Sequence, residues 1–358
     1  MTSQVAILRT RPETVLEDYG RLMRLVKYDQ TIGRDRDLIL KLNLSWTKYF
    51  PACSSQPWQL DGVVRTLLAD GYDRARIVPV ENKTVVTDPV VGCRNNRWTA
   101  VLERHGLPFI PLPDVEWTVH RFTTPLLKLD AIFPEDIQIP KMFIGKNVCH
   151  LPSVKTHGHT VTTGAIKNAF GGLLKEVRHY AHEFIHEVMV DLLLMQRELH
   201  PGVFAVMDGT VMGDGAGPRT MIPTVGNLIL ASADQVAIDA IAARIMGFDP
   251  LAIPYLRMCH ERGLGVADPK AIELVGDADA GRIDMGFSSR RSLVIWGDQL
   301  IRRGPLRPLK RLLLHSPLVV WAPFASNVYH DWLWYPTVGR ARIRAFDATP
   351  WGRLFASY

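Results

Sequence analysis

The chain has 358 residues, 47% of them hydrophobic and 22% charged, with a formal net charge of +6. This length and balance suit one large or two ordinary globular domains with a sizeable core, and exclude fibrous and disordered classes. The four cysteines, Cys53, Cys93, Cys149 and Cys259, form no CxxC pair. Their scatter excludes an iron–sulfur cluster, a zinc ribbon and a disulfide framework, and suits a reducing compartment.

In chain order, the opening MTSQVAILRTRP has no apolar signal-peptide segment, and VAIL reads as a first strand. DLILKLNL is strand-like and ends at Asn43; PWQLDGVVRTLLADG has helical spacing and stops at Gly71. ARIVPVEN is the next strand, WTAVLERHG a short helix closed by Gly106, and LPFIPLPD another strand. KNVCHLPSVKTH runs from a strand into a polar loop. The longest helical pattern spans Leu173 to Leu199, ended by Pro201 and Gly202. VFAVMDG is a buried strand followed by a glycine-rich loop, GDGAGPRT; NLILAS is a strand, and SADQVAIDAIAARIMG a helix capped by Ser232 and closed by Gly247. This alternation predicts an α/β, Rossmann-like, mostly parallel sheet with helices on both faces, in one lobe or two.

After Asp284 the pattern weakens, so residues 1–284 read as the catalytic core and 285–358 as an irregular extension rich in Pro, Arg and Trp. Beyond residue 284 there are eleven Lys or Arg against three Asp, which leaves 31 basic and 33 acidic residues before it. The basic extension is either a solvated face or a contact for an anionic membrane surface or acidic partner. No nucleic-acid module appears, so none is expected as partner. The apolar run Leu312–Ala325 holds His315, Pro317 and Pro323 and is too short to span a bilayer, so a cytoplasmic location is expected.

In open α/β sheets ligands bind beyond the carboxyl ends of the strands. Polar residues gather at those predicted ends: Lys41 and Asn43, Glu81, Lys155 to His159, and Asp208. The densest run, VKTHGHTVTTGAIKNAFGG, holds Lys155, His157, His159, Lys167 and Asn168. Two lysines and the amides of a loop entering a helix would make an anion site, and the histidines could move protons or bind metal. Gly215 and Gly217 would let backbone approach a ligand closely. Asp239, among apolar residues, is either a helix-packing contact or an orienter of a site residue. His179, His182 and His186 would share one helical face, and His182-Glu183-His186 matches HExxH. That match opens a zinc-dependent hydrolase reading, although a catalytic zinc needs a third ligand and no Glu occurs between Glu198 and Glu261.

KLNL, VEN, LPSVKTH, TGAIKNAFGG, RHYAH, VMDG with GAGP, and LASADQVAIDAIAARIMG occur in that order. Together they resemble the uncharacterised family known as domain of unknown function 362, over about residues 36–276. Many members carry a ferredoxin-like module with cysteine clusters; this chain shows no such cluster. A more distant similarity is to the N-terminal part of lactate racemase, the enzyme with a nickel-pincer nucleotide cofactor. That resemblance implies Lys167 as cofactor tether, His182 or His179 as nickel ligand and His157 as acid/base. The racemase's upstream G-x-H-R-P motif has no match here.

The resulting expectation is an enzyme acting on a small carboxylate or phosphate by proton transfer, in an isomerase-, epimerase- or lyase-like step. His157, Lys155, Lys167 and His182 would be catalytic. Lys41, Asn43, Glu81, His159, Asn168, Asp208, Gly215 and Gly217 would line the substrate site, with Asp208 or Glu81 setting a histidine tautomer. His182, His179 and His186 would hold any divalent metal. The rival readings are a nickel-pincer racemase, the zinc hydrolase, and a non-catalytic protein docked at a membrane. The sequence leaves the oligomeric state open.

Overall fold

The computed structural model describes residues 3–84, 86–134, 136–175, 181–302, 304–306, 308 and 321–358. The first half alternates as the sequence predicts: β1 (Ser3–Arg9), α1 (Val15–Leu25), α2 (Tyr28–Thr31), β2 (Leu38–Lys41), α3 (Pro57–Ala69), β3 (Ile77–Glu81), α4 (Pro89–Asn95), α5 (Trp98–His105) and β4 (Ile110–Pro111). Gly106 closes α5 at φ 64°, a left-handed conformation that an L side chain resists. A side ribbon of β5 (Trp117–Val119) and β6 (Gln138–Pro140) flanks the short α6 (Leu129–Ile132). Then come β7 (Asn147–His150), β8 (Ser153–His157), β9 (Val161–Thr162), α7 (Ala165–Leu173) and α8 (Ile185–Leu199).

The main sheet runs in the order β12-β1-β11-β10-β7-β2-β3-β4, where β10 is Val203–Ala216, β11 is Thr220–Ser232 and β12 is Ile272–Gly276. Pairs β10–β7, β7–β2, β2–β3, β3–β4 and β1–β12 are parallel; β11 is antiparallel to both β1 and β10. The protein is therefore mixed α/β with a mostly parallel sheet. The central parallel strands β2 and β7 bury both faces, as parallel strands do when helices cover them. One core lies between the sheet and α1, α3 and α5. The other lies beneath α7, α8, α9 (Gln235–Ile245) and α10 (Pro254–Glu261). Adjacent residues of β2 show the alternation: Leu38 and Leu40 face the first core, Ile39 the second.

Four local expectations are corrected. The run GDGAGPRT is no loop, because β10 continues through Ala216 and returns as β11. KNVCHLPSVKTH makes two strands, β7 and β8, which pair with successive parts of β10. The helix expected from Leu173 to Leu199 is broken: α7 ends at Leu173, where Leu174 is already extended, and α8 begins at Ile185. The cap of α9 is Asp234, whose carboxylate accepts from the amides of Val236 and Ala237; Ser232 bonds instead to the Gln4 carbonyl.

Beyond residue 284 the described residues form α11 (Leu293–Arg302), α12 (Trp321–Asn327), a wide π-helical stretch Val328–Gly339, α13 (Arg340–Asp347) and α14 (Pro350–Ala356). Their end is built into the first core. Trp351 is 1% exposed, lies 5.1 Å from the ring of Trp58 and donates to Asn227 at 2.7 Å, while Phe355 stacks on Tyr49 at 3.8 Å. Among the described residues no helix is long and apolar enough to cross a membrane.

Candidate functional site

Lys41 ends β2, Glu81 ends β3 and His150 ends β7, so parallel register brings them to one carboxyl rim. Lys41 Nζ meets Glu81 Oε1 at 2.7 Å, and both residues are at most 3% exposed. Gly171 and Gly172 of α7 lie over this pair; a Cβ at Gly171 would stand 3.3 Å from Lys41 Nζ. Asn168, also on α7, donates its amide to the Lys41 carbonyl at 2.9 Å and approaches His150 Nδ1 at 3.3 Å. His150 Nε2 meets Gln196 Oε1 at 2.7 Å, and Gln235 donates to the same oxygen. These bonds assign the Nε2–H tautomer to His150. Burial pushes its pKa down to about 3, so the ring is neutral.

The dense basic run closes around the turn between β8 and β9. His157 Nδ1 accepts from the amides of His159 at 3.1 Å and Thr160 at 3.4 Å, which leaves the proton of the neutral ring on Nε2. The rings of His157 and His159 lie 5.8 Å apart, and those of His159 and His182 5.2 Å apart. Phe170 meets His182 edge-on at 5.6 Å, while Lys167 Nζ stands 5.4 Å from the centre of the Phe170 ring. His157 is 4% exposed. Burial, then the charges of Lys167, His159, His182 and Lys155, hold its pKa well below the usual imidazole value. The structure thus brings Lys167, His157, His159 and His182 together.

Lys155 lies one step behind this cluster. Its amine donates to Asn43 Oδ1 and to the Cys53 carbonyl at 2.9 Å. Burial pushes its pKa down to about 8.

Two helix-level details differ from expectation. The amides of Ala165 and Ile166, at the start of α7, do not await an anion: Asp239 accepts from them at 2.6 and 3.2 Å. A Cβ at Gly164 would come within 2.1 Å of that carboxylate, so glycine is what lets α7 seat there. Asp239 therefore acts by positioning the helix that carries Lys167 and Asn168. The amide of Asn168 is committed to Lys41 and His150, which makes it a clamp on α7.

Of the two glycines at the end of β10, Gly217 approaches protein, while a Cβ at Gly215 would meet nothing within 4 Å. A Cβ at Gly217 would sit 1.8 Å from the Thr156 carbonyl oxygen. The Gly217 carbonyl accepts from Gly158, and the Gly215 carbonyl accepts from Thr156 Oγ1 and Arg290. Both glycines hold the histidine turn in place. Asp208 belongs elsewhere, because its strand continues past it. Its carboxylate accepts from Tyr19 at 2.6 Å, Trp58 at 3.0 Å and Thr210 at 2.8 Å in the first core, so it sets no histidine tautomer.

The HExxH histidines meet different neighbours. His182 precedes α8 and faces His159, whereas His186 lies on α8 and stacks on Tyr255 at 6.1 Å. His179 lies outside the described residues. Among the described residues no group of three or more His, Cys, Asp or Glu side chains could hold a metal ion.

The sequence reading missed His150, Gln196 and Gln235, which tie β7, α8 and α9 together beneath the rim. A histidine within the apolar run NVCHL was the available signal.

The fold and the rim define an α/β protein with a lysine- and imidazole-rich cluster at the carboxyl ends of its parallel strands. The chain belongs to the family described as Domain of unknown function (DUF362), which matches residues 38–244. That span covers Lys41, Glu81, the histidine turn, α7 and Asp239. The chain is also similar to a Synechocystis protein named "Thylakoid-associated protein sll1697", 28% identical over 182 residues, or 49% of this chain and 54% of that relative. The chain thus spans about half that relative's length.

Proposed function

We propose that the rim binds a small carboxylate or phosphate and that His157 moves a proton on it, in an isomerase-, epimerase- or lyase-like step. One observation carries the reading: Lys167 and three imidazoles gather around a buried turn, with Lys155 close behind. Lys167 would hold the anion, and His157 would present its Nε2–H to an oxygen that gains charge in the reaction. A buried imidazole surrounded by positive charge is a poor base in the free protein. An anion beside Lys167 offsets that charge and returns proton affinity to His157, so the substrate itself would prepare the acid/base.

The test is histidine-selective ¹⁵N NMR across pH, with and without phosphate and small carboxylates. The free protein should keep His157 neutral well below the pH at which an ordinary imidazole takes up its proton. A saturating anion should raise its titration midpoint, and Lys167→Met should remove that rise. A midpoint indifferent to every anion tried overturns the proposal.

A second reading, the nickel-pincer racemase, is favoured by one observation: Lys167 and His182 both meet the ring of Phe170. Lys167 would then carry the cofactor covalently and His182 would ligate nickel. Intact-protein mass after coexpression with cofactor-maturation enzymes tests it; added mass on Lys167 supports the reading, and an unmodified chain removes it.

A further inference from the structure

Aromatic side chains are distributed unevenly between the body and the segment beyond residue 284. In the body, Trp46, Trp58 and Trp98 are at most 1% exposed. Beyond residue 284, Trp296 is 54% exposed, Phe324 63% and Trp332 66%. Among the described residues, every large aromatic exposed by more than a third belongs to that segment. Phe324 and Trp332 touch edge to face at 6.3 Å, Trp321 lies one helical turn before Phe324, and Leu333 beside Trp332 is 58% exposed. Water-facing aromatics in contact with one another mark an interaction surface rather than scattered surface residues.

Charge selects the occupant. The segment that supplies these aromatics has eleven Lys or Arg against three Asp, while the rest of the chain is nearly balanced. Arg340 and Arg344, both exposed, follow the aromatic patch directly on α13. Indole rings settle at the boundary between headgroups and acyl chains, and arginines beside them pair with anionic headgroups. A protein partner large enough to bind stably would instead be expected to meet apolar residues with few uncompensated charges at the centre.

We propose that the face formed by Trp321, Phe324, Trp332 and Leu333 docks on the surface of an anionic phospholipid bilayer, without crossing it. The aromatics enter the interface and the surrounding arginines supply the long-range attraction. The proposal stands whether or not the histidine rim is catalytic.

Cosedimentation of the full chain with vesicles tests it. Binding is expected with vesicles containing phosphatidylglycerol, not with phosphatidylcholine alone, and it should weaken as salt is raised. Phe324→Ser with Trp332→Ser should lower binding at least about tenfold while leaving the melting temperature unchanged, since both side chains face water. Val90→Ser, at an exposed body position, should bind as the parent does. Brominated lipid gives a check free of substitutions: it should quench part of the parent's tryptophan fluorescence. Equal binding by the double variant, no preference for anionic lipid, or no quenching overturns the proposal. So does a double variant that loses only self-association on size exclusion, since the patch would then be a contact between copies of the chain.

Discussion

Asp239→Asn isolates the device that seats α7. Asp239 is 1% exposed and accepts from two amides at the start of the helix. Burial raises its pKa to about 7, against the lowering effect of those amides. Its folded value therefore lies above its unfolded value of about 3.9. Between those values the folded chain binds the extra proton, so the contribution is fully present below about pH 4 and is lost as pH rises through about 7. At about 1.4 kcal/mol per unit, the loss is at most about 4 kcal/mol.

Asparagine keeps one acceptor oxygen and cannot ionise. At about pH 4 the variant should match the parent within about 1 kcal/mol. From there to about pH 8 the parent should lose up to about 4 kcal/mol relative to the variant. Urea unfolding of both proteins at a series of pH values supplies the comparison, and taking the difference cancels the other titrating groups. A difference that stays flat with pH would refute the account of Asp239 as a buried carboxyl whose pKa folding raises.

Lys41→Met should cost about 3–5 kcal/mol in urea unfolding, because it leaves the Glu81 carboxylate buried beneath α7 with its partner gone. Adding Glu81→Leu should recover most of that loss; a double variant as weak as the single one would contradict the pairing. Trp351→Ala should cost about 3–5 kcal/mol, as expected for a buried indole, and lower the melting temperature of the whole chain in a single transition. A separate early transition with the main melt unchanged would show that α14 folds apart from the first core.

Much of the first half was legible because parallel strands announce themselves as short apolar runs cut off by a polar residue. LILK and IVPVE end where the sheet ends, so the placement of Lys41 and Glu81 at one rim followed from pattern alone. The glycine-rich hairpin was not legible. Gly217 is needed because the Thr156 carbonyl lies against it, and that neighbour is far away in sequence. With glycine read as a loop signal, β10 seemed to end at Asp208, and a residue of the first core was taken for a rim residue. The start of α7 was legible as a loop entering a helix, but the acceptor that takes its first amides was not. Its cap is Asp239, 74 positions later, while two glycines inside AIKNAFGGL weaken the helical pattern. The true rim could be read as a cluster of residue types; which amide and which carboxylate were already engaged required the contacts.

The insertion of α14 also constrains the order of assembly. Tyr358 donates to Asp61 across 297 positions, and Trp351 covers Trp58 on the same helix, α3. During synthesis α3 leaves the ribosome long before these residues exist, so its indole-lined side stays wet until they have been made. Closing so large a loop is slow compared with forming a helix. Until then the nascent chain carries that apolar wall uncovered, a stage at which a chaperone has much to shield.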